Sequence, residues 1–386
     1  MPGQYRHDML CDVTHDENSR QDFVSSFKSY LSSGVSGASK DVYLDRVEPA
    51  FTREHNRPPK DRHEVRRAIS GNGHYQMSSS LKRTAQEMMF DSVGESVERQ
   101  LPALINKAGV KRKKAKFGTL RLDPKLQIPR YHTAVDIHCM PGGYHTEIVA
   151  NDDVYAGALY DRSIFLFSMG IRGVLNDDFG QSVVAYYTKH HPDLKPKRIL
   201  DIGCSVGHGT LPHVDAFPDA EVYAIDVGAP MLRYGHARTE ALGKRVHFSQ
   251  QNAEQTDFPD HYFDLVMSQI VIHETSHKAL PRIMRECKRI LKPGGLLLHV
   301  DGLDWKDMSP YDASVPDWDT YYNAEPFIGG LHDTDYYDLA ADAGFDRKGV
   351  FVTSTKSGIS TPVRRIELKA GDFGNVGSVM VFGARA

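Results

Sequence analysis

From residue 198 onward, short apolar runs alternate with stretches of helical period. Runs at 198–202, 221–226, 245–249, 263–268 and 295–300 read as strands. Helical segments between these five predict a mostly parallel sheet with helices on both faces. Two more runs, 349–354 and 378–384, bring the count to seven and have no clear helix between them. The N-terminal part has another period. From about 41 to 107 the pattern is helical, and Leu81, Ala85, Met88, Met89, Val93, Val97 and Leu101 form one apolar stripe. Ser78, Ser79 and Ser80 offer N-caps to this helix, and Pro102 stops or restarts it. Residues 1–40 are polar, and the Ser/Gly-rich stretch 32–39 predicts a mobile or loosely packed start.

Composition changes this picture little. The chain has 386 residues, 40% of them hydrophobic and 25% charged, enough for a large core and two domains. The pattern divides it into the polar start, a helical domain at 41–125, a bridging segment and pocket cap at 126–190, and an α/β domain at 191–386. The net charge of −3 gives no global reason to bind nucleic acid or membrane. The one dense basic run, 111–116, lacks interleaved aromatics and reads as a solvated linker. Cys11, Cys139, Cys204 and Cys287 are widely spaced, as expected of reduced thiols. With no apolar signal core and no spanning run, the expected location is cytoplasmic.

The most informative chemistry lies at 198–210. An apolar run ends at Asp201, and a glycine-rich turn with Gly203, Gly207 and Gly209 leads into a helix. Such a strand–loop–helix brings backbone close to a nucleotide-like ligand. Asp226 closes the next strand about 20 residues on, where an acid accepts hydrogen bonds from ribose hydroxyls. The dinucleotide fingerprint is poorly matched, because Ser205 stands where its second glycine belongs.

The loop instead resembles motif I of class I S-adenosylmethionine (SAM) methyltransferases, acid-x-Gly-x-Gly-x-Gly, with Asp201, Gly203 and Gly207 in place and Ser205 for the middle glycine. Three later stretches extend the resemblance: 251–254, 258–268, and 286–295 with its Pro293-Gly294-Gly295 turn. It implies a Rossmann-like, seven-stranded α/β sheet whose last two strands form an antiparallel edge. It also implies SAM as cofactor, S-adenosylhomocysteine as product, and no required metal. Asp226 and Val227 then face the ribose, Asn252 and Ala253 flank adenine, and Ser268 and Gln269 lie below the sulfonium.

Methyl transfer to an alcohol or phenol needs a base. Ile272-His273-Glu274 resembles the Ile/Leu-His-Asp stretch of plant-type O-methyltransferases, which makes His273 the candidate general base and Glu274 its orienting or substrate-binding partner. Ubiquinone/menaquinone-type enzymes also place histidines here. The 136–147 stretch packs His138, Cys139, Tyr144, His145 and Glu147 around a Pro-Gly-Gly turn. It reads as a loop entering the active site or as a structural turn, and its spacing fits no zinc pattern. Tyr155, Tyr160 and Arg162 are candidates to reach the cofactor from the segment before the core. An aromatic insertion at 301–335 offers Trp305 and Tyr321 as a substrate wall or lid, or a second small core. With His138, Tyr144, His145 and Tyr160, these form the expected substrate-binding set. The function expected is methylation of a small molecule, O-methylation ahead of S-, N- or C-methylation. Alternatives are a protein or RNA methyltransferase, a SAM-binding regulator and a nicotinamide-dependent oxidoreductase. The resemblance also implies that the N-terminal helices pair two chains into a homodimer.

Overall fold

The structure, a computed structural model, describes residues 3–149, 152–302, 305–356 and 378–386. Among them, eight strands form one sheet: β1 (Thr119–Arg121), β2 (Arg198–Ile202), β3 (Glu221–Asp226), β4 (His247–Gln250), β5 (Phe263–Gln269), β6 (Leu291–Asp301), β7 (Val350–Lys356) and β8 (Ser378–Arg385). Their order is β1-β4-β3-β2-β5-β6-β8-β7, parallel from β1 to β6, with β8 antiparallel to both β6 and β7. The seven expected strands are all present, and the last two make the antiparallel edge. β1 is an addition; three residues are too short to show a period. No helix separates β4 from β5, contrary to expectation. Side chains there tie the backbone into turns instead: Asn252 Oδ1 accepts from Glu254 N at 2.9 Å and Gln251 Oε1 from Asp257 N at 2.9 Å.

β2 and β3 are apolar where the sheet is covered on both faces. Ile199, Leu200, Val222, Ala224 and Leu265 are fully buried. The helix Leu280–Ile290 lays Ile283, Met284, Cys287 and Ile290 on one face of the sheet, so Cys287 is core. Strand order reverses at β2: the chain builds outward to β3 and β4 on one side and to β5 and β6 on the other, all parallel. That is the switch point where open α/β sheets bind ligands, beyond the carboxyl ends of the strands.

The N-terminal region is helical and packed onto this core. Thr14 and Glu17 form a capping box for the helix His15–Tyr30. The chain continues helically through two π turns to His55, where Asn56 ends it in the left-handed region. The serines and glycines of 32–39 therefore lie in helix, not in a loose segment. The long helix Gly73–Glu98 begins at Asn72, whose Oδ1 accepts from His74 N and Tyr75 N. Ser78 and Ser79 are buried inside it rather than capping it. Its Ala85, Met89, Val93 and Val97 form the predicted stripe, and Pro102 sits in the first turn of the next helix, Leu101–Lys113. Among the described residues, no helix is long and apolar enough to cross a membrane.

One buried carboxylate joins these layers. Asp161, on the helix Tyr155–Phe167, is fully buried. It accepts from Gln4 Nε2 at 2.9 Å and Tyr234 Oη at 2.7 Å, and pairs with His208 Nε2 at 2.7 Å and His7 Nε2 at 3.1 Å. Arg238 Nε lies 3.6 Å away. Burial alone raises its pKa, but the Arg238 charge and the two histidine contacts outweigh that and hold the carboxyl well below its usual range. Removing one partner of such a cluster leaves uncompensated buried charge, about 3–5 kcal/mol. Asp161→Ala should therefore lose about that much stability in urea unfolding. Asp8→Ala, which breaks the exposed pair with Lys111 at 2.7 Å, should lose no more than about 1 kcal/mol. Equal losses would remove Asp161 from its organising role.

Candidate functional site

A cavity of about 170 Å³ opens at the ends of β2, β3 and β5 and runs toward the N-terminal helices. Asp201, Gly203, Ser205, Asp226, Val227, Asn252, Ala253, Ser268 and Gln269 all line it. Gly207 does not; with φ +82° it makes the turn of the loop and packs near Phe248. Gly203 has φ +67°, and a Cβ there would meet Val271 at 2.7 Å, so this position needs glycine.

Asp226 Oδ2 accepts from Ser205 N at 2.9 Å and Oδ1 from Gly228 N at 2.8 Å. These bonds leave lone pairs on both oxygens for hydroxyls in the cavity. Asp201 accepts from Thr210 Oγ1 at 2.6 Å, which fixes the loop's exit. Gln269 donates to Gly209 O at 3.1 Å, so it staples β5 to the loop. Ser268 is 2.6 Å from His299 Nδ1.

The far half of the cavity is largely apolar: Met89, Phe90, Tyr160, Ile164, Phe167 and Phe179. Further polar groups on the cavity lining include Gln86, His132, His138, Tyr144, His145, Glu274, Arg172 and Asn176. Tyr144 Oη donates to Glu274 at 3.0 Å. Tyr160 stacks on His208 with ring centroids 5.8 Å apart, which joins the chamber to the Asp161 cluster. Arg172 stacks over Phe179 at 4.2 Å, and its Nε is buried without a hydrogen-bond partner.

His138, Tyr144, His145 and Tyr160 therefore line the cavity as expected, while Trp305 and Tyr321 do not. Trp305 stacks on His332 at 3.7 Å, and Tyr321 is 41% exposed under Arg66. Two of the insertion's aromatics face the N-terminal helices: Trp318 Nε1 donates to Ser79 at 3.0 Å, and Tyr311 packs at a tilt against Tyr43 with ring centroids 4.6 Å apart. Tyr155 points to Glu98 and Arg162 to Gln21, so neither reaches the cavity. Arg172, Asn176 and Phe179 carried no motif in the sequence, and His208 lies within the glycine-rich loop without having been singled out.

His273 sits behind the cavity wall, 4% exposed. Its Nδ1 is 2.7 Å from Asp301, and its Nε2 is 3.5 Å from Glu325 and 4.0 Å from Glu274. Burial pulls the imidazole down, but Asp301 and then the two glutamates outweigh it and raise its pKa to about 9. His273, expected as the general base, is not among the residues that line the cavity, whereas its neighbour Glu274 is.

The family described as "Methyltransferase domain" matches residues 199–295, the stretch that supplies the loop and both aspartates. The chain carries a class I SAM-dependent methyltransferase domain. Curated relatives agree. Phosphoethanolamine N-methyltransferase 3 of Arabidopsis thaliana is 31% identical over 156 residues, 40% of this chain and 30% of that protein. The ubiquinone/menaquinone biosynthesis C-methyltransferase UbiE of Ectopseudomonas mendocina is 33% identical over 38% of this chain and 57% of its own length. A fatty-acid O-methyltransferase of Mycolicibacterium smegmatis is 28% identical over 39% of this chain and 54% of its own. The chain thus spans between 30% and 57% of the length of these relatives. A solved phosphoethanolamine N-methyltransferase 2 of Haemonchus contortus aligns over 59% of this chain and 57% of its own, at 20% identity and a TM-score of 0.42.

The residues of the methyltransferase domain fit SAM. Asp226 keeps free acceptor capacity for a diol, Gly203 and Gly209 have no room for a side chain, and Asn252 and Ala253, the residues expected at adenine, line the same cavity. Burial raises Asp201 to about 7 against the lowering bond from Thr210. An unfolded aspartate titrates near ~3.9. The stability this group contributes is full below that value and is lost as pH rises through about 7. Asp201→Asn should therefore melt above the ligand-free wild type at about pH 8, with the difference shrinking toward about pH 5. An equal difference at both, in thermal unfolding followed by circular dichroism, would contradict this assignment.

Proposed function

We propose that this protein transfers the methyl group of SAM to a small-molecule acceptor held in the apolar half of the cavity. The supporting observation is the continuity of one cavity from the Asp226 end into a chamber walled by the N-terminal helices. An acceptor reached through such a chamber is enclosed, which suits a metabolite rather than a protein or RNA surface. The three relatives are named for N-, C- and O-methylation, so they favour a small acceptor and share no acceptor atom.

Bound SAM supplies a sulfonium leaving group, and the chain supplies position. Met89, Phe90 and Phe167 exclude water and set the acceptor's apolar part. Glu274, on the wall and oriented by Tyr144, is the carboxylate we place against the acceptor's hydroxyl or amine proton. O-methylation remains the preferred chemistry, with Glu274 in the role first expected of His273. Arg172, with its unpartnered Nε at the cavity, is assigned to a carboxylate, that of the cofactor's methionine part.

Label transfer from methyl-labelled SAM into a cell extract, split into small-molecule and macromolecular fractions, tests the reading. Label should appear among small molecules and vanish with Asp226→Ala; label in protein or RNA would overturn it. Once an acceptor is known, Glu274→Gln should cut turnover about 100-fold or more with S-adenosylhomocysteine affinity within about threefold. Unchanged turnover would take Glu274 out of the chemistry. Arg172→Met should weaken SAM about tenfold or more and leave decarboxylated SAM unaffected. Equal loss for both ligands would refute the carboxylate assignment.

A further inference from the structure

Among the described residues, His138, His273 and Glu274 are the one set of three histidine, cysteine or carboxylate side chains whose ligand atoms all lie within 4.8 Å of one another. They come from two places in the fold, the tight turn Ile137–Cys139 and the turn Ile272–Glu274 after β5, and their outer partners stand at the end of β6 and in the aromatic insertion. Asp301 holds His273 by Nδ1 at 2.7 Å, and Glu325 holds His138 by Nδ1 at 2.8 Å. His138 Nε2 then lies 3.4 Å from Glu274, and His273 Nε2 lies between Glu325 at 3.5 Å and Glu274 at 4.0 Å. A carboxylate behind each imidazole is the arrangement that fixes tautomer and ring plane in metal-binding histidines. Two imidazoles and one carboxylate with open positions suit a divalent first-row transition ion.

We propose that His138, His273 and Glu274 bind one divalent first-row transition-metal ion at the wall of the acceptor chamber, oriented by Glu325 and Asp301. Bound ligand atoms stand about 3–3.5 Å apart around an ion with bonds near 2.1 Å, so the side chains close in by less than about 1 Å each. His138 and Glu274 line the cavity, so the ion's open positions face the acceptor. An acceptor oxygen next to the methylated atom completes the coordination, which makes chelating hydroxy acids, keto acids and vicinal diols the ligand class this wall selects. The ion site rests on side-chain geometry, whereas its ligand class rests on the methyl-transfer reading, and with the ion bound Glu274 serves as a ligand rather than as the acceptor's base.

The test is equilibrium dialysis of the chelator-treated full chain against Co²⁺, with visible d–d absorption as the second readout. The expected result is one ion per chain with a spectrum of mixed nitrogen and oxygen ligation. His138→Ala and Glu274→Gln should abolish it, and Asp301→Asn should weaken it about 10–100-fold. S-adenosylhomocysteine affinity reports that each variant is folded. Binding below one ion per chain, or one ion kept equally by His138→Ala and Glu274→Gln, overturns the proposal. If a variant does not fold, the wild type decides by NMR: Co²⁺ must shift the imidazole resonances of two buried histidines, and unmoved resonances overturn it.

Discussion

A buried carboxylate has to be neutralised by neighbours that stay where they are, and Asp161 uses this constraint to lock the site together. Its partners come from the N-terminal segment (Gln4, His7), the glycine-rich loop (His208) and the helix after β3 (Tyr234, Arg238). None of these can shift without exposing charge in a dry interior. The loop that meets the cofactor and the helices that wall the acceptor are thereby parts of one unit. Tyr160 stacking on His208 carries the same coupling to the chamber wall.

The second level of order is set by the sheet. β2, β3 and β5 end together at the switch point, and Asp201, Asp226, Ser268 and Gln269 stand on those ends. The loop glycines pay for close approach with backbone freedom, which Asp226 and Gln269 recover by pinning Ser205 N and Gly209 O. Opposite them, two imidazoles and three carboxylates from distant segments meet at the chamber wall. The groups of that cluster are held by one another.

Local pattern revealed β2, β3 and the loop because each feature lies within a few residues: the apolar run, the terminal acid, the glycines. The stripe on the helix Gly73–Glu98 was legible for the same reason. What the sequence hid is long-range. Asp301 reaches His273 from 28 residues away, and Glu325 reaches His138 across 187 positions, so no spacing announces either pair. The motif around His273 announces neither Asp301 behind the ring nor its place outside the cavity lining. The aromatic insertion looked like a pocket wall, yet Trp318 and Tyr311 find Ser79 and Tyr43 on the N-terminal helices, and the insertion's contribution to the site is Glu325. Asp161 itself sits in a helix with no motif around it.

The central claim is that cofactor loop and N-terminal segment form one unit through Asp161. Amide hydrogen exchange with and without S-adenosylhomocysteine tests it most directly. The account predicts that the ligand slows exchange both in the 203–209 loop and in residues 3–10, which lie outside the cavity lining. Protection confined to the loop, with 3–10 exchanging as before, would contradict it.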